Sequence, residues 1–220
     1  MTQHNLNPHS PFFHEERHAS LAAFVDKPIT ICGAGALGGN LTETLARMGF
    51  SRLKLIDKDR VEVRNLSTQP YNRAEVGSPK ARALANALYR AVQAKLEPVV
   101  IEIAATNAVT HLRDSALVID AFDNREARAA VSEAVCMLKI PCLHIGFSAD
   151  GLYGNGLWEP GYQVPREVPG DPCDYPLTRP LALQLTALAA RAIADFFRTG
   201  KGTNFELTWH DTRVTWSENV

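Results

Sequence analysis

Residues 31–38 read Ile-Cys-Gly-Ala-Gly-Ala-Leu-Gly and place a glycine-rich turn between an apolar run and a helical one. The apolar run, 28–32, predicts a buried strand. Gly33, Gly35 and Gly38 match the pattern G-x-G-x-x-G, which lets backbone N–H groups approach a phosphate at a helix start. The turn alone is a weak indication, because a tight strand-to-helix turn without any ligand has the same sequence.

Strands and helices alternate outward from this turn and predict the fold class. We predict strands at 28–32, 53–56, 99–103, 117–120 and 140–145, and helices at 13–25, 37–48, 79–94, 124–138 and 178–198. This alternation is typical of an α/β fold with a doubly wound, Rossmann-like, mostly parallel sheet. Leu152, Tyr153, Leu157 and Trp158 predict a bent or antiparallel pair, and alternating apolar residues in 205–209 and 214–216 predict a terminal hairpin. Together they predict an antiparallel C-terminal extension.

The domain organisation is predicted to be simple. One domain spans 1–220, with a flexible arm at 1–12 and an extended, proline-rich crossover loop at 159–176. A chain of this length is sufficient for one large buried core.

Composition and charge exclude several function classes. The net charge of −1 gives no electrostatic basis for binding nucleic acid or an anionic membrane. No uninterrupted apolar run reaches the ~18 residues of a membrane span, and the polar N-terminal region carries no secretory apolar segment. Four cysteines without a C-x-x-C pair indicate reduced thiols, a cytoplasmic location and no zinc site.

Polar residues follow the predicted strands, where parallel sheets open a ligand crevice. Asp57 ends the second strand, the place where an acidic side chain accepts hydrogen bonds from ribose hydroxyls. Enzymes that use NAD have the same device, so Asp57 does not separate ATP from NAD. Asp59 is predicted either to assist with ribose or metal or to be a solvated loop residue.

Three segments together resemble the ThiF/MoeB family, bacterial relatives of ubiquitin-activating enzymes. They are Asp-Lys-Asp-Arg-Val-Glu-Val-Arg-Asn-Leu-Ser-Thr-Gln at 57–69, Gly-Ser-Pro-Lys at 77–80 and Val-Ile-Asp-Ala-Phe-Asp-Asn at 118–124. The resemblance extends over roughly 27–150 and, more loosely, over the helix at 178–198. It implies a single ThiF-type adenylation domain.

The resemblance implies that the chain uses MgATP to adenylate the C-terminal carboxylate of a ubiquitin-like or sulfur-carrier protein. Attack of a carboxylate on the α-phosphorus brings two anions together, so positive charge is needed. The resemblance assigns that charge to Lys80, phosphate contacts to Asn65 and Gln69, and Mg²⁺ to Asp123, which also sits where a helix N-cap would. Arg128 is interpreted as structural, in a pair with an acid.

Two departures from the family pattern concern charge and zinc. The family usually reads Asn-x-x-Arg-Gln where this chain has Thr68, so a phosphate-facing guanidinium is missing and catalysis is predicted to be weaker unless Arg64 or Arg73 supplies it. The two C-x-x-C pairs of many members are also absent.

Further residues are assigned through the resemblance. Family dimers use an N-terminal arginine to reach the partner subunit's ATP, and Arg17 is the candidate here, with a solvated arginine as the alternative. Cys173, in the crossover loop, is either a covalent acceptor of the activated carboxyl or an ordinary loop cysteine. The remaining cysteines, Cys32, Cys136 and Cys142, are predicted to be buried and inert. His144 is predicted to be a satisfied polar residue beside the crevice.

The leading prediction is therefore a cytoplasmic, homodimeric adenylyltransferase that acts with a separate downstream carrier protein. Two alternatives stay open: an NAD-dependent oxidoreductase, which leaves Lys80 and Asp123 unexplained, and a catalytically weakened scaffold of the same fold, which Thr68 favours. The sequence does not identify the carboxylate substrate.

Overall fold

A computed structural model describes residues 8–17, 25–166 and 175–219. Within these ranges the chain forms one sheet whose strands, in chain order, are β1 (Ile29–Cys32), β2 (Leu53–Ile56), β3 (Glu97–Val99), β4 (Leu117–Asp120), β5 (Cys142–Phe147), β6 (Tyr153–Trp158), β7 (Thr203–Thr208) and β8 (Arg213–Glu218). The helices are α1 (Phe13–Glu16), α2 (Ala36–Arg47), α3 (Lys80–Val92), α4 (Ala108–Leu112), α5 (Arg125–Leu138) and α6 (Arg179–Thr199). Short 3₁₀ helices span Val63–Ser67 and Arg73–Glu75.

The strand order is β3-β2-β1-β4-β5-β6-β7-β8. Neighbours from β3 to β5 are parallel, and β5 to β8 pair antiparallel in chain order. The predicted α/β class, with a doubly wound, mostly parallel sheet and an antiparallel C-terminal extension, is confirmed. The chain reverses direction across the sheet between β1 and β4, which is the switch point where such sheets bind ligands.

Two apolar cores cover the two faces of the sheet. The larger core joins α2, α3 and α6 to strand residues such as Ile31 and Leu143, whereas the smaller joins α4 and α5 to residues such as Ile56 and Val118. Adjacent residues of one strand point to opposite faces, so Ile31 enters one core and Cys32 the other. Helices on both faces bury the parallel strands and leave their carboxyl ends as the open edge.

Helix α6 has the length and composition of a membrane-crossing helix and is the one such helix in the described ranges. A helix in the core of a globular domain meets the same criteria. Here α6 packs against α2, with Leu181, Leu185, Ala189 and Ile193 buried along one face. Its opposite face is exposed.

Several predicted elements differ from the structure. The strand predicted at 99–103 lies earlier, at β3, because only Glu97–Val99 pairs with β2 and the apolar residues after it, such as Ile103, pack into the smaller core from a loop. Residues 152–158 form one strand, β6, paired with β5, not a pair of their own. Of the helix predicted at 13–25, Phe13–Glu16 is helical, and 18–24 lie outside the described residues.

Candidate functional site

The glycine turn joins β1 to α2 at the switch point. Gly33 has a φ of +100°, and a Cβ there would lie 2.9 Å from the Ala121 carbonyl oxygen. A Cβ on Gly38 would lie 2.0 Å from the Gly33 carbonyl oxygen, so these two glycines are required by the protein's own packing. Gly35 caps α2, and a Cβ there would meet nothing within 4 Å. The backbone at Gly35 is therefore open to a ligand.

Asp57 holds this turn in place. One carboxylate oxygen accepts a hydrogen bond from the Ala34 N–H at 2.6 Å, and the other accepts from the Asp59 N–H at 2.7 Å. Burial raises the pKa of Asp57, although the nearby Lys80 ammonium and these two N–H groups act in the opposite direction. The sequence predicted only ribose binding for Asp57, whereas the structure shows that Asp57 also hydrogen-bonds to the glycine turn.

Two residues that the sequence did not single out also fix the turn. The Tyr71 hydroxyl donates to the Ala34 carbonyl oxygen at 2.8 Å, and burial raises the Tyr71 pKa. The Asn40 amide donates to the carbonyl oxygens of Ala36 and Thr68, so it ties α2 to the segment after the first 3₁₀ helix. Tyr71 could have been identified from its position, because it follows the motif at 57–69 after a single proline, Pro70.

Lys80 is the first residue of α3, and its side chain extends toward Asp59, which follows β2. Its Nζ lies 3.2 Å from an Asp59 carboxylate oxygen. The Lys80 side chain is only 8% exposed, whereas that of Asp59 is 51% exposed. The pair therefore joins a buried lysine to a half-exposed carboxylate. The structure thus brings Asp57, Asp59 and Lys80 together as predicted.

Asn65 lies on the first 3₁₀ helix, and Gln69 follows two residues after that helix ends. The Asn65 side-chain oxygen accepts a hydrogen bond from the Glu62 N–H at 2.8 Å, which leaves its amide N–H groups for another acceptor. The side-chain oxygen of Gln69 is buried and accepts no hydrogen bond from the residues described. A buried unpaired amide costs free energy unless a ligand or water satisfies it.

Asp123 follows β4 and is exposed. The cap of α5 is its neighbour Asn124, whose side-chain oxygen accepts from the Ala127 N–H at 2.8 Å, so Asp123 is not the helix cap. The described ranges contain no cluster of three or more His, Cys, Asp or Glu suited to a metal. A lone carboxylate fits Mg²⁺ bound mainly through phosphate oxygens and water.

A second charged cluster lies beneath this edge and is internally paired. Asp120, fully buried, lies 2.8 Å from the His144 Nδ1 and 3.5 Å from the Arg128 Nη1. The His144 Nε2 lies 3.1 Å from Glu159, and its ring stacks on Tyr162 at 3.5 Å. Arg128 is the structural arginine predicted, and His144 is a satisfied polar residue, as expected.

The charges of this cluster stabilise one another. Burial opposes ionisation of Asp120, but Arg128 and His144 outweigh it and lower the Asp120 pKa. Burial likewise disfavours the His144 imidazolium, yet hydrogen bonds to Asp120 and Glu159 raise its pKa overall. The cluster therefore anchors the loop after β4, since Asp120 also accepts from the Phe122 N–H.

Other predicted residues lie away from the glycine turn. Arg17 is exposed and stacks over Phe13 with its guanidinium 5.5 Å from the ring centroid. Arg64 pairs with Glu62 at 2.8 Å, and Arg73 is exposed on the second 3₁₀ helix. Cys173 lies outside the described residues, as does most of the C-terminal half of the predicted crossover loop.

The described cysteines differ in burial. Cys32 and Cys142 are buried, and burial raises the pKa of both thiols well above the ordinary value. Cys136 was predicted to be buried, and this was wrong. It faces outward from α5, because the buried stripe of that helix runs through Ala127, Ala130, Val131, Ala134 and Val135.

Comparison with solved structures supports the fold. The E. coli tRNA N6-threonylcarbamoyladenosine dehydratase TcdA in complex with ATP matches with a TM-score of 0.60 at 28% identity, over 64% of this chain and 60% of that one. E. coli MccB with AMPCPP and MccA gives a TM-score of 0.79 over 97% of this chain and 72% of that one. At 14% identity, this second likeness concerns the fold alone.

Sequence relatives point to one family. The chain is 36% identical over 119 residues to the sulfur carrier protein ThiS adenylyltransferase of Bacillus subtilis, which is 52% of this chain and 35% of the relative. It is 36% identical over 117 residues to the sulfur carrier protein adenylyltransferase of Thermus thermophilus, which is 51% of this chain and 42% of the relative. The match thus spans less than half of either relative. The profile of the ThiF family matches residues 9–155, and the chain belongs to that family.

Proposed function

We propose that this protein adenylates the C-terminal carboxylate of a ubiquitin-like or sulfur-carrier protein with ATP, giving an acyl-adenylate and pyrophosphate. One observation carries the proposal: the open turn at Gly35 follows β1, Asp57 and Asp59 follow β2, and Asp123 follows β4, all at the carboxyl ends of adjacent strands. Lys80, at the start of α3, joins this group through Asp59. Adenylyltransferase relatives and an ATP-bound structural neighbour support ATP as the nucleotide.

The reaction needs a site that holds one anion while another attacks it. The substrate carboxylate oxygen forms a bond to the α-phosphorus, the bond from that phosphorus to the bridging oxygen breaks, and pyrophosphate leaves with the electron pair. Lys80 lies at this edge with its stem buried, so its ammonium is fixed in direction and offsets the charge of the transition state. The N–H groups at Gly35 and the free amide of Asn65 donate to phosphate oxygens.

Asp57 and Asp123 have different tasks in this proposal. Asp57 keeps the turn in shape through Ala34 and offers its remaining lone pairs to the ribose hydroxyls. Asp123 would hold Mg²⁺, which when bound neutralises phosphate charge. Gln69 carries an unpaired buried side-chain oxygen that a ligand N–H or an ordered water would satisfy.

Assembly and location remain part of the same proposal. We infer a cytoplasmic homodimer in which Arg17, exposed at the end of α1, reaches the partner's nucleotide. The carrier tail lies across the sheet toward Asp123, with the crossover loop as its cover, and Cys173 in that loop is the candidate acceptor of the activated carboxyl. A separate protein then takes the product.

The deciding experiment is calorimetry of the purified protein with MgATP and, separately, with NAD. We expect ATP to bind, and we expect Lys80→Ala and Asp123→Ala to weaken it. Lys95→Ala and Asp114→Ala, which remove exposed charges elsewhere, serve as matched controls. Isotope exchange between pyrophosphate and ATP, with purified carrier proteins added in turn, then identifies the carboxylate.

The outcomes separate the competing functions. NAD binding without ATP binding would favour an oxidoreductase and refute the proposal. Binding of ATP and a carrier protein without pyrophosphate exchange would favour the catalytically weakened scaffold. Thr68, in place of the family's arginine, is the residue that supports this alternative.

A further inference from the structure

The carboxyl ends of β1, β2 and β4, where we place the nucleotide, form an edge whose nearby lysines are already paired. The side chains there include the carboxylates of Asp57, Asp59 and Asp123, while Lys80 faces Asp59 at 3.2 Å and Lys58 pairs with Glu102. A nucleoside triphosphate adds several more negative charges. A site built to hold it needs further cations within reach of the phosphates.

A second cation near this edge comes from the C-terminal part of the sequence. Arg179 is the first residue of α6, and its Nη1 donates to the Ser67 carbonyl oxygen at 3.4 Å. Ser67 ends the 3₁₀ helix that carries Asn65, and Thr68 follows it. The guanidinium therefore lies beside the segment that contacts the start of α2 through the Thr68 carbonyl oxygen.

The surrounding contacts hold the three elements in register. The Asn40 amide, in the first turns of α2, donates to the Thr68 carbonyl oxygen at 2.8 Å, and α2 also packs along α6. The N-terminus of α6 is thus held near the N-terminus of α2, where the glycine turn opens. Thr178 caps α6 by accepting from the Leu181 N–H, and the positive end of a 21-residue helix adds to the charge of the guanidinium.

Arg179 is also available, unlike Arg64 and Arg128. Its side chain is exposed, and among the described residues no carboxylate lies within ion-pair distance of it. By contrast, Arg64 is engaged by Glu62 and Arg128 by Asp120. A hydrogen bond of 3.4 Å to a carbonyl oxygen is weak and easily exchanged for a charged phosphate oxygen.

We propose that Arg179 binds the β- and γ-phosphates of ATP and supplies the charge that Thr68 does not. The inference rests on the proposed function and adds a phosphate-binding residue to it. Arg179 lies three residues after the end of the predicted crossover loop, so the same contact places the residues just after that loop beside the proposed nucleotide site.

The test compares nucleotides that differ only in their phosphates. We expect Arg179→Ala to weaken binding of ATP by about ten- to a hundredfold, the usual range for a charged hydrogen bond, and to leave AMP binding unchanged. Arg191→Ala is the matched control, since this arginine lies on the same helix with its guanidinium over Trp216. Thr68→Arg in the Arg179→Ala background should restore most of the ATP affinity.

Each other outcome overturns the inference in a recognisable way. Equal ATP affinity in the wild type and Arg179→Ala refutes the role of Arg179 while leaving the proposed function intact. Equal losses for ATP and AMP indicate a structural role for Arg179 and also refute it. If the wild type binds neither ATP nor pyrophosphate, the proposed function fails, and the inference fails with it.

Discussion

Asp120 and Asp123 stand at the end of the same strand, yet their surroundings are opposite. Asp120 is fully buried and paired with His144 and Arg128, whereas Asp123 is exposed and caps nothing. The lone pairs of Asp120 accept hydrogen bonds within the protein, whereas those of Asp123 are exposed to solvent. One short loop therefore combines a buried anchor with an exposed carboxylate of the kind that the proposed Mg²⁺ site requires.

Asp120→Ala should produce the largest effect on stability. Its removal leaves the buried Arg128 and His144 without their acid, so the free energy of unfolding should fall by about 3–5 kcal/mol. Urea denaturation followed by circular dichroism measures this fall. The matched variant, Asp123→Ala, should lie within about 0.5 kcal/mol of the wild type while binding MgATP more weakly. Equal stabilities of the two variants would invalidate the comparison.

Lys80→Ala should affect chemistry much more than stability. Loss of a fixed charge at the reacting phosphate is expected to slow pyrophosphate exchange by about 10²- to 10³-fold. Its partner Asp59 is half exposed, so the unfolding free energy should change by at most about 1 kcal/mol. Lys95→Ala is the control for loss of a positive charge. A normal exchange rate in Lys80→Ala would remove this residue from the site.

The anchor should respond to pH through His144. Its folded-state pKa is raised, so its contribution to stability is complete below the unfolded value of ~6.5 and is lost as pH rises through the folded value. Asp120 and Glu159 have lowered pKa values and remain ionised at pH 6. The His144 ring also stacks on Tyr162, whose hydroxyl accepts a hydrogen bond from Arg128.

We therefore expect His144→Gln to cost about 1.5–3 kcal/mol at pH 6 and less at pH 9. Paired denaturation curves of the variant and the wild type at the two pH values measure the change. His111→Gln, on α4, is the control for the loss of a histidine. A difference that grows with pH would mean that His144 is neutral in the folded protein.

Tyr71→Phe should have the smallest effect of the four. It removes one hydrogen bond to the Ala34 carbonyl oxygen at the glycine turn and should lower the unfolding free energy by about 1 kcal/mol. Tyr89→Phe, whose ring is 51% exposed, is the control. An unchanged melting temperature for Tyr71→Phe would show that water replaces the hydroxyl.

Local patterns in the sequence predicted most of the fold. The helical periods placed α2, α3, α5 and α6 within a few residues, and alternation placed the terminal hairpin. The edge strand β3 was displaced, since its pairing with β2 decides its extent and the apolar run 99–103 extends beyond that pairing. Cys136 was misassigned although the 3.6-residue period of α5 places it opposite the buried stripe.

The candidate site was predicted as a set of residues but not as a geometry. The end of the predicted second strand named Asp57, and the resemblance to the family named Lys80 and Asp123. The contacts of Tyr71 with Ala34 and of Arg179 with Ser67 join distant parts of the chain, and no local pattern encodes them. The double role of Asp57 was missed for the same reason.

The strand order also has a consequence for how the chain folds. From β4 to β8 each strand pairs with the next one in the sequence, so each of these pairings closes a shorter loop than the one between β1 and β4. β4 reaches its place beside β1 only after β2 and β3 have been inserted on the other side. Closing that long loop is an entropic barrier, so the pairing of β1 with β4 is the step that we expect to limit the folding rate.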